Sequence, residues 1–298
     1  MKANRPASMV LVLAALTLAG CPRDEVRPTP SGSRPEVLSL MRQRAESLKT
    51  LRAKVSMEVK LSEMKNAEKL TGNFAASGPA SLRLMADHPL ADYRVLDLGC
   101  DGSTWWVHVH AEETNRVDYG RVADLSPVDC EVPVRPDQIV AILGMAPLRD
   151  RPPDAHWVFT LHPGHYLLQE VVRSNGTRHV ATRIHVDGKT QLITRYETLL
   201  PSGRIRLSAT LGDYHVVEDV QIPGMVRIRV LTSEGEDRLD LRFTEVKVNP
   251  KLPSKVFKPL RFEKIPQRIR HPQEVAVGRM RAGQEAPSAS LVLEKELP

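Results

Sequence analysis

Ser33-Arg34-Pro35-Glu36-Val37-Leu38 opens a stretch that closes on Val55-Ser56-Met57-Glu58-Val59-Lys60-Leu61, and within it the hydrophobic period changes. Ser33 and Glu36 stand at the spacing of a capping box, and Pro35 falls in the first turn, where its missing N–H costs nothing. Val37, Leu38, Met41, Ala45, Leu48 and Leu51 then recur at helical spacing, which predicts one amphipathic helix over residues 34–52. From Val55 the period is two: Val55, Met57, Val59 and Leu61 alternate with Ser56, Glu58 and Lys60. A half-buried strand therefore follows the helix almost directly.

Outward from this junction the two-residue period persists. Segments near 70–77, 81–87, 93–99, 104–110 and 116–120 read as strands, with Asp101-Gly102 predicted to make a type I′ hairpin turn. Residues 136–143 form a short apolar helix, with Pro136 in its first turn, Gly144 at the C′ position and Pro147 soon after. In the second half Val180, Thr182, Ile184 and Val186 oppose Arg183 and His185. Ile205, Leu207, Ala209 and Leu211 oppose Arg204 and Arg206, Val226, Ile228 and Val230 oppose Arg227 and Arg229, and Leu239, Leu241 and Phe243 oppose Arg238, Asp240 and Arg242. His162-Pro163-Gly164-His165 and Asp187-Gly188 read as turns. The expected class is mainly β (α+β): a curved antiparallel sheet or unclosed barrel of about ten strands, its concave apolar face filled by two helices.

The N-terminus has a different character. Lys2 and Arg5 precede an apolar run from Met9 to Leu18, too short to span a bilayer, and small residues lead into Cys21. Leu18-Ala19-Gly20-Cys21 resembles the bacterial lipobox, which implies that residues 1–20 are a signal peptide and that Cys21 carries the lipid. Three acyl chains at about 0.8 kcal/mol per buried methylene would anchor it permanently. Residues 21–33 then read as a Pro-rich tether, residues 34–260 as the folded domain, and residues 261–298 as a poorly ordered tail without sustained period. The expected location is the bacterial envelope, lipid-anchored and facing the periplasm. Pro22 in place of an inner-membrane retention Asp favours the outer membrane.

Charge and motif content exclude much chemistry. Without Lys2 and Arg5 the net charge of +6 falls to +4, spread thinly, which is no nucleic-acid footprint. No Gly-x-Ser-x-Gly, His-Glu-x-x-His or phosphate-binding glycine loop occurs, so no catalytic residue and no cofactor is expected. Trp106, His108 and His110 alternate along one strand and are read as a solvated outer face rather than metal ligands. Cys100 and Cys130, in an oxidising compartment, are candidates for a disulfide.

The order and spacing of these pieces resemble the LolA/LolB-like superfamily of bacterial lipoprotein carriers and receptors. The resemblance rests on the leading helix and strand, Gly78-Pro79-Ala80-Ser81-Leu82-Arg83-Leu84, the 97–106 hairpin and the 136–143 helix. It continues through Val186-Asp187-Gly188-Lys189, Gly212-Asp213-Tyr214, Ile222-Pro223-Gly224-Met225-Val226 and Leu252-Pro253-Ser254-Lys255-Val256-Phe257. It implies an unclosed barrel with a helical lid over a cavity that takes a lipid or an acylated lipoprotein, without covalent chemistry. Candidate lining residues are Met57, Val59, Leu84, Val107, Val109, Ile184, Leu207, Ile228 and Leu241, with Ile139 and Leu143 on the lid. It also implies a strand arginine bonded to the lid, matched in position by Arg83, and an apolar membrane-delivery loop matched by His88-Pro89-Leu90. The second reading is a structural or sensor lipoprotein, its curved sheet an interaction surface for another envelope protein.

Overall fold

The helix at the head of the domain, α1, spans Arg34–Ser47, and its first turn carries the predicted reciprocal bond, Ser33 N–H donating to Glu36 Oε2 at 2.6 Å. Val37, Leu38 and Met41 bury its apolar stripe. The helix stops well before residue 52, and the reason lies far away in sequence. Asn249 Nδ2 donates to the Ser47 carbonyl at 2.7 Å, while Asn249 Oδ1 accepts from the backbone N–H groups of Lys49 (2.8 Å) and Thr50 (3.2 Å). One side chain thus ends the helix and starts the strand, and Leu48 and Leu51, expected on a helix face, are buried as a linker residue and a strand residue.

The computed structural model describes residue 30 and residues 32–60, 62, 65–90, 93–111, 114–122, 134–148, 155–174, 176–232, 235–259 and 267–269. Residues 1–20, read as a signal peptide, Cys21, Cys130 and most of the segments read as tether and tail lie outside the described residues. Among the described residues, fourteen strands form one sheet. The first meander comprises β1 (Thr50–Lys60), β2 (Glu68–Ser77), β3 (Ser81–Asp87), β4 (Arg94–Asp101), β5 (Thr104–Ala111) and β6 (Thr114–Arg121). After α2 (Pro136–Ile142), a second meander runs through β7 (Ala155–His162), β8 (His165–Ser174), β9 (Thr177–Asp187), β10 (Ile193–Leu199), β11 (Ile205–Val217), β12 (Val220–Leu231) and β13 (Glu236–Val248). The strand order is β14-β6-β5-β4-β3-β2-β1-β13-β12-β11-β10-β9-β8-β7, with β14 (Gln267–Ile269) parallel to β6 and every other pair antiparallel. The two meanders join at β1 and β13, where Val55 faces Phe243 and Met57 faces Leu241. Since β7 and β14 lie at opposite ends of this order, the barrel is open.

Inward-facing residues of both meanders merge with α1 and α2 into one core. Its centre includes Phe74 packed edge-on to Phe243, their ring centroids 5.1 Å apart. Among the described residues no helix is long and apolar enough to cross a membrane. The hairpin at Asp101-Gly102 is built otherwise than expected. Gly102 takes the positive φ of +94°, but Asp101 does not; its Oδ1 instead accepts from Ser103 N–H (2.9 Å) and Thr104 N–H (2.7 Å). This is an Asx turn rather than type I′.

The face of β5 read as solvated is covered. Trp106 is 0% exposed and His108 is buried. Trp106 lies against Gly99, where an added Cβ would stand 2.3 Å from its ring, and packs with Val117 and Tyr119. On this outer face the segment Ser254–Phe257, a single 3-10 turn, lies against β3 and β4. Period-two reading identified which residues share the face but not that the C-terminal segment would return to it.

Candidate functional site

Helix α2 is apolar on its sheet-facing side because Ile139, Val140 and Ile142 fall there, and it ends as predicted: Gly144 has φ +72° and Leu143 N–H donates to the Ile139 carbonyl. Gly144 is also needed for space, since a Cβ would come within 2.8 Å of Arg44 Nε. Arg44, on the last turn of α1, adds a polar tie to the end of this packed helix. Its Nη1 donates to the Gln221 carbonyl (3.0 Å), its Nη2 to the Leu143 carbonyl (3.4 Å), and its guanidinium lies 5.8 Å from the Tyr214 ring centroid. Burial lowers the Arg44 pKa from its ordinary value and pushes the Tyr214 phenol up to about 12. The sequence reading missed Arg44; its signal was a cation on the last helical turn, four residues before the buried Leu48.

Arg83, matched to a lid-bonding arginine, points the other way. Its Nε and Nη2 donate to Asp97 Oδ1 (3.0 Å) and Oδ2 (2.7 Å), and its Nη1 donates to the carbonyls of Val256 (3.2 Å) and Lys258 (3.1 Å). Trp106 Nε1–H adds a third donor to Asp97, at 3.1 Å. The cluster clasps the C-terminal segment to the outer face, and none of these hydrogen bonds reaches α2.

Beside α2 lies a pocket of about 600 Å³, bounded by the helix and its following loop on one side and by β7 to β11 on the other. Its sheet wall includes a row in register across the strands: Trp157 opposite Glu170, Glu170 opposite Thr182, Thr182 opposite Thr198. Asp137, Gln138 and Ala141 of α2 and Pro147 and Leu148 beyond it supply the opposite wall. Thr182 Oγ1–H donates to Glu170 Oε2 at 2.7 Å, and Arg135 pairs with Asp137 through Nε (3.0 Å) and Nη2 (2.6 Å). Burial first, then the negative charge of Glu170 and Asp137, raise the Tyr196 phenol pKa beyond its ordinary value.

Of the residues expected to line a cavity, Ile184 lines this pocket. Met57, Leu84, Val107, Ile139, Leu143, Leu207, Ile228 and Leu241 are brought together in the close-packed core beneath α2, and Val59 packs at its edge. Val109 is placed on β5, and its side chain lies outside the described residues. Leu90, in the His88-Pro89-Leu90 loop, is 91% exposed. It projects beside a ring stack of His88 on Tyr93, with centroids 6.0 Å apart. Cys100 is buried, its thiol donating to the Ala80 carbonyl and pushed up to about 12 by burial. Among the described residues no group of three or more His, Cys, Asp or Glu side chains is arranged to hold a metal ion.

No family model and no curated protein matches this chain. Solved structures do. A DUF1329 family protein from Desulfovibrio piger is 11% identical, with a TM-score of 0.51 over 75% of this chain and 96% of its own. A LolA superfamily protein from Nitrosomonas europaea, 13% identical, covers 77% of this chain and 99% of its own with a TM-score of 0.49. A putative outer membrane lipoprotein-sorting protein domain from Vibrio parahaemolyticus, 9% identical, covers 75% and 95% with a TM-score of 0.48. The open antiparallel half-barrel with helices in its concave face is the architecture the LolA-like resemblance implied. At these identities the likeness is one of fold alone.

Proposed function

We propose that this protein is a bacterial envelope lipoprotein, anchored through Cys21 and facing the periplasm, that binds a lipid or an acylated lipoprotein between α2 and the concave wall of the sheet. It is a binding module and not an enzyme, and the outer membrane is its favoured site. The pocket beside α2 carries this reading, because its volume of about 600 Å³ falls in the range of small-molecule sites, roughly 300–1,000 Å³. Below the helix the wall continues as the apolar core, so an acyl chain entering at the pocket gains apolar contact by displacing α2. Arg44, bonded to the Leu143 carbonyl at the end of α2, adds a polar restraint on that displacement to the helix's own packing. The exposed Leu90 suits delivery to a membrane surface.

The close packing of Ile139, Val140 and Leu143 favours a second reading, a structural or sensor lipoprotein whose curved sheet engages an envelope protein and whose cavity is filled by its own side chains. Purification from a bacterial envelope, lipid extraction and mass spectrometry separate the two, together with titration by an acyl fluorophore. Bound lipid or saturable fluorophore uptake is the expected result. Absence of both would overturn the binding reading in favour of the second.

A further inference from the structure

The row Trp157, Glu170, Thr182, Thr198 places a carboxylate beside an apolar stretch of the concave wall. The neighbouring inner row, Phe159, Leu168, Ile184 and Tyr196, carries no charge. Glu170 is half-buried there, and a carboxylate partly withdrawn from water gains from a cation or donors beside it. Glu170 receives one hydrogen bond, from Thr182 to Oε2, and among the described residues no cation is ion-paired with it. The remaining pocket charges do not serve it. Arg135 and Asp137 neutralise each other, and His179 stands opposite Val172, beyond the irregularity in register that follows Glu170. Arg206 lies three strands away on β11, about 14 Å at ordinary strand spacing.

We propose that Glu170 is the counter-ion for a ligand ammonium, so that the pocket selects an amphiphile with a protonated amine close to its acyl chain. Trp157, directly opposite Glu170, and Tyr196, on the next inner row of β10, supply aromatic surface on which an ammonium is stabilised further. The buried Thr198 Oγ1 has no hydrogen-bond partner and offers an acceptor or donor to the same head group. The field of Glu170 at the Tyr196 hydroxyl has the sign that attracts a cation, while those of Asp137 and its partner Arg135 oppose each other there. The amine is that of a phospholipid head group or of a lysine beside the acyl chain of a lipoprotein; the chemistry recognised is the same. This inference rests on the binding reading above.

The test uses the full chain in phosphatidylglycerol nanodiscs, with displacement of an acyl fluorophore as the readout. The competitors are dihexanoyl phosphatidylethanolamine against dihexanoyl phosphatidylglycerol, and an acylated lysine peptide against its norleucine analogue. The amine-bearing member of at least one pair is expected to bind about tenfold tighter or more, the worth of a charge-assisted hydrogen bond. Whichever pair shows the preference identifies the source. Glu170→Gln, which keeps the bond from Thr182, is expected to bring the two members of the preferred pair to within about twofold of each other, and a preference that persists in this variant overturns the assignment to Glu170. Fluorophore binding with no amine preference in the wild type overturns this inference alone and needs no variant. No fluorophore binding overturns the binding reading itself.

Discussion

Replacing Arg83 with leucine strands a carboxylate that the fold has removed from water. The Arg83 and Asp97 side chains are 8% and 0% exposed, and Asp97 accepts three hydrogen bonds, two from Arg83 and one from Trp106. Arg83→Leu leaves Asp97 with Trp106 as its donor and with no countercharge, and it also takes a donor from the carbonyls of Val256 and Lys258. Breaking a buried pair in this way costs about 3–5 kcal/mol. Asp97→Leu leaves Arg83 with those two carbonyls and is expected at the lower end of the same range. The double variant should cost less than either single change alone, since no charge is then left unpaired, giving a coupling of about 3 kcal/mol or more. Urea unfolding measures all three, with constant m-values confirming that the comparison is one of stability. Amide exchange supplies the second readout: residues 254–258 should exchange faster in Arg83→Leu while α2 is unchanged. Additive single effects, a cost below about 1 kcal/mol, or loosening of α2 in place of the C-terminal segment would refute the clasp.

Arg44→Met removes the donors to Gln221 and Leu143, and the expected cost is about 1–3 kcal/mol with faster exchange in α2 and faster acyl-fluorophore uptake. Slower uptake would show that Arg44 does not restrain the helix. Leu90→Ser should leave the unfolding free energy within about 0.5 kcal/mol, because the side chain is 91% exposed, yet slow hand-over of a bound acyl fluorophore to vesicles about tenfold. Unchanged hand-over would remove the loop from membrane delivery. High pH should destabilise the fold. Cys100 and Tyr214 titrate at about 12 when folded but near their ordinary values of 9.0 and 10.0 when unfolded. Between these limits the folded state retains protons that the unfolded chain releases, so their contribution is full below about pH 9 and is lost as the pH rises toward 12. Urea midpoints that hold constant from pH 8.5 to 11 would contradict this, as would alkylation of Cys100 in the folded protein at pH 8.

Local pattern alone was enough for most of the strands. The alternation Val180, Thr182, Ile184, Val186 is β9, and the turn at Pro163-Gly164 joins His162 to its register partner His165. Proline and glycine punctuation placed α2 to within a residue, because caps depend on backbone conformation at the ends themselves. The candidate site was less legible. Glu170 lies on the inner period of Tyr166 and Leu168, a signal open to reading, but its neighbours Trp157 and Thr198 come from other strands through register.

What the sequence by itself determined is therefore which residues share a face, since a period of two or of 3.6 is a property of neighbouring residues. The tertiary structure decided what covers each face. Leu48 and Leu51 continue a helical period, yet the helix yields at Ser47 because Asn249 and the pairing of Leu51 with Val248 offer its backbone other partners. Trp106 sits on a face that alternation assigns to solvent, yet it is buried with Asp97 beneath a clasped C-terminal segment. Both outcomes depend on contacts between residues more than a hundred positions apart, whose formation is governed by chain return and burial rather than by any local preference.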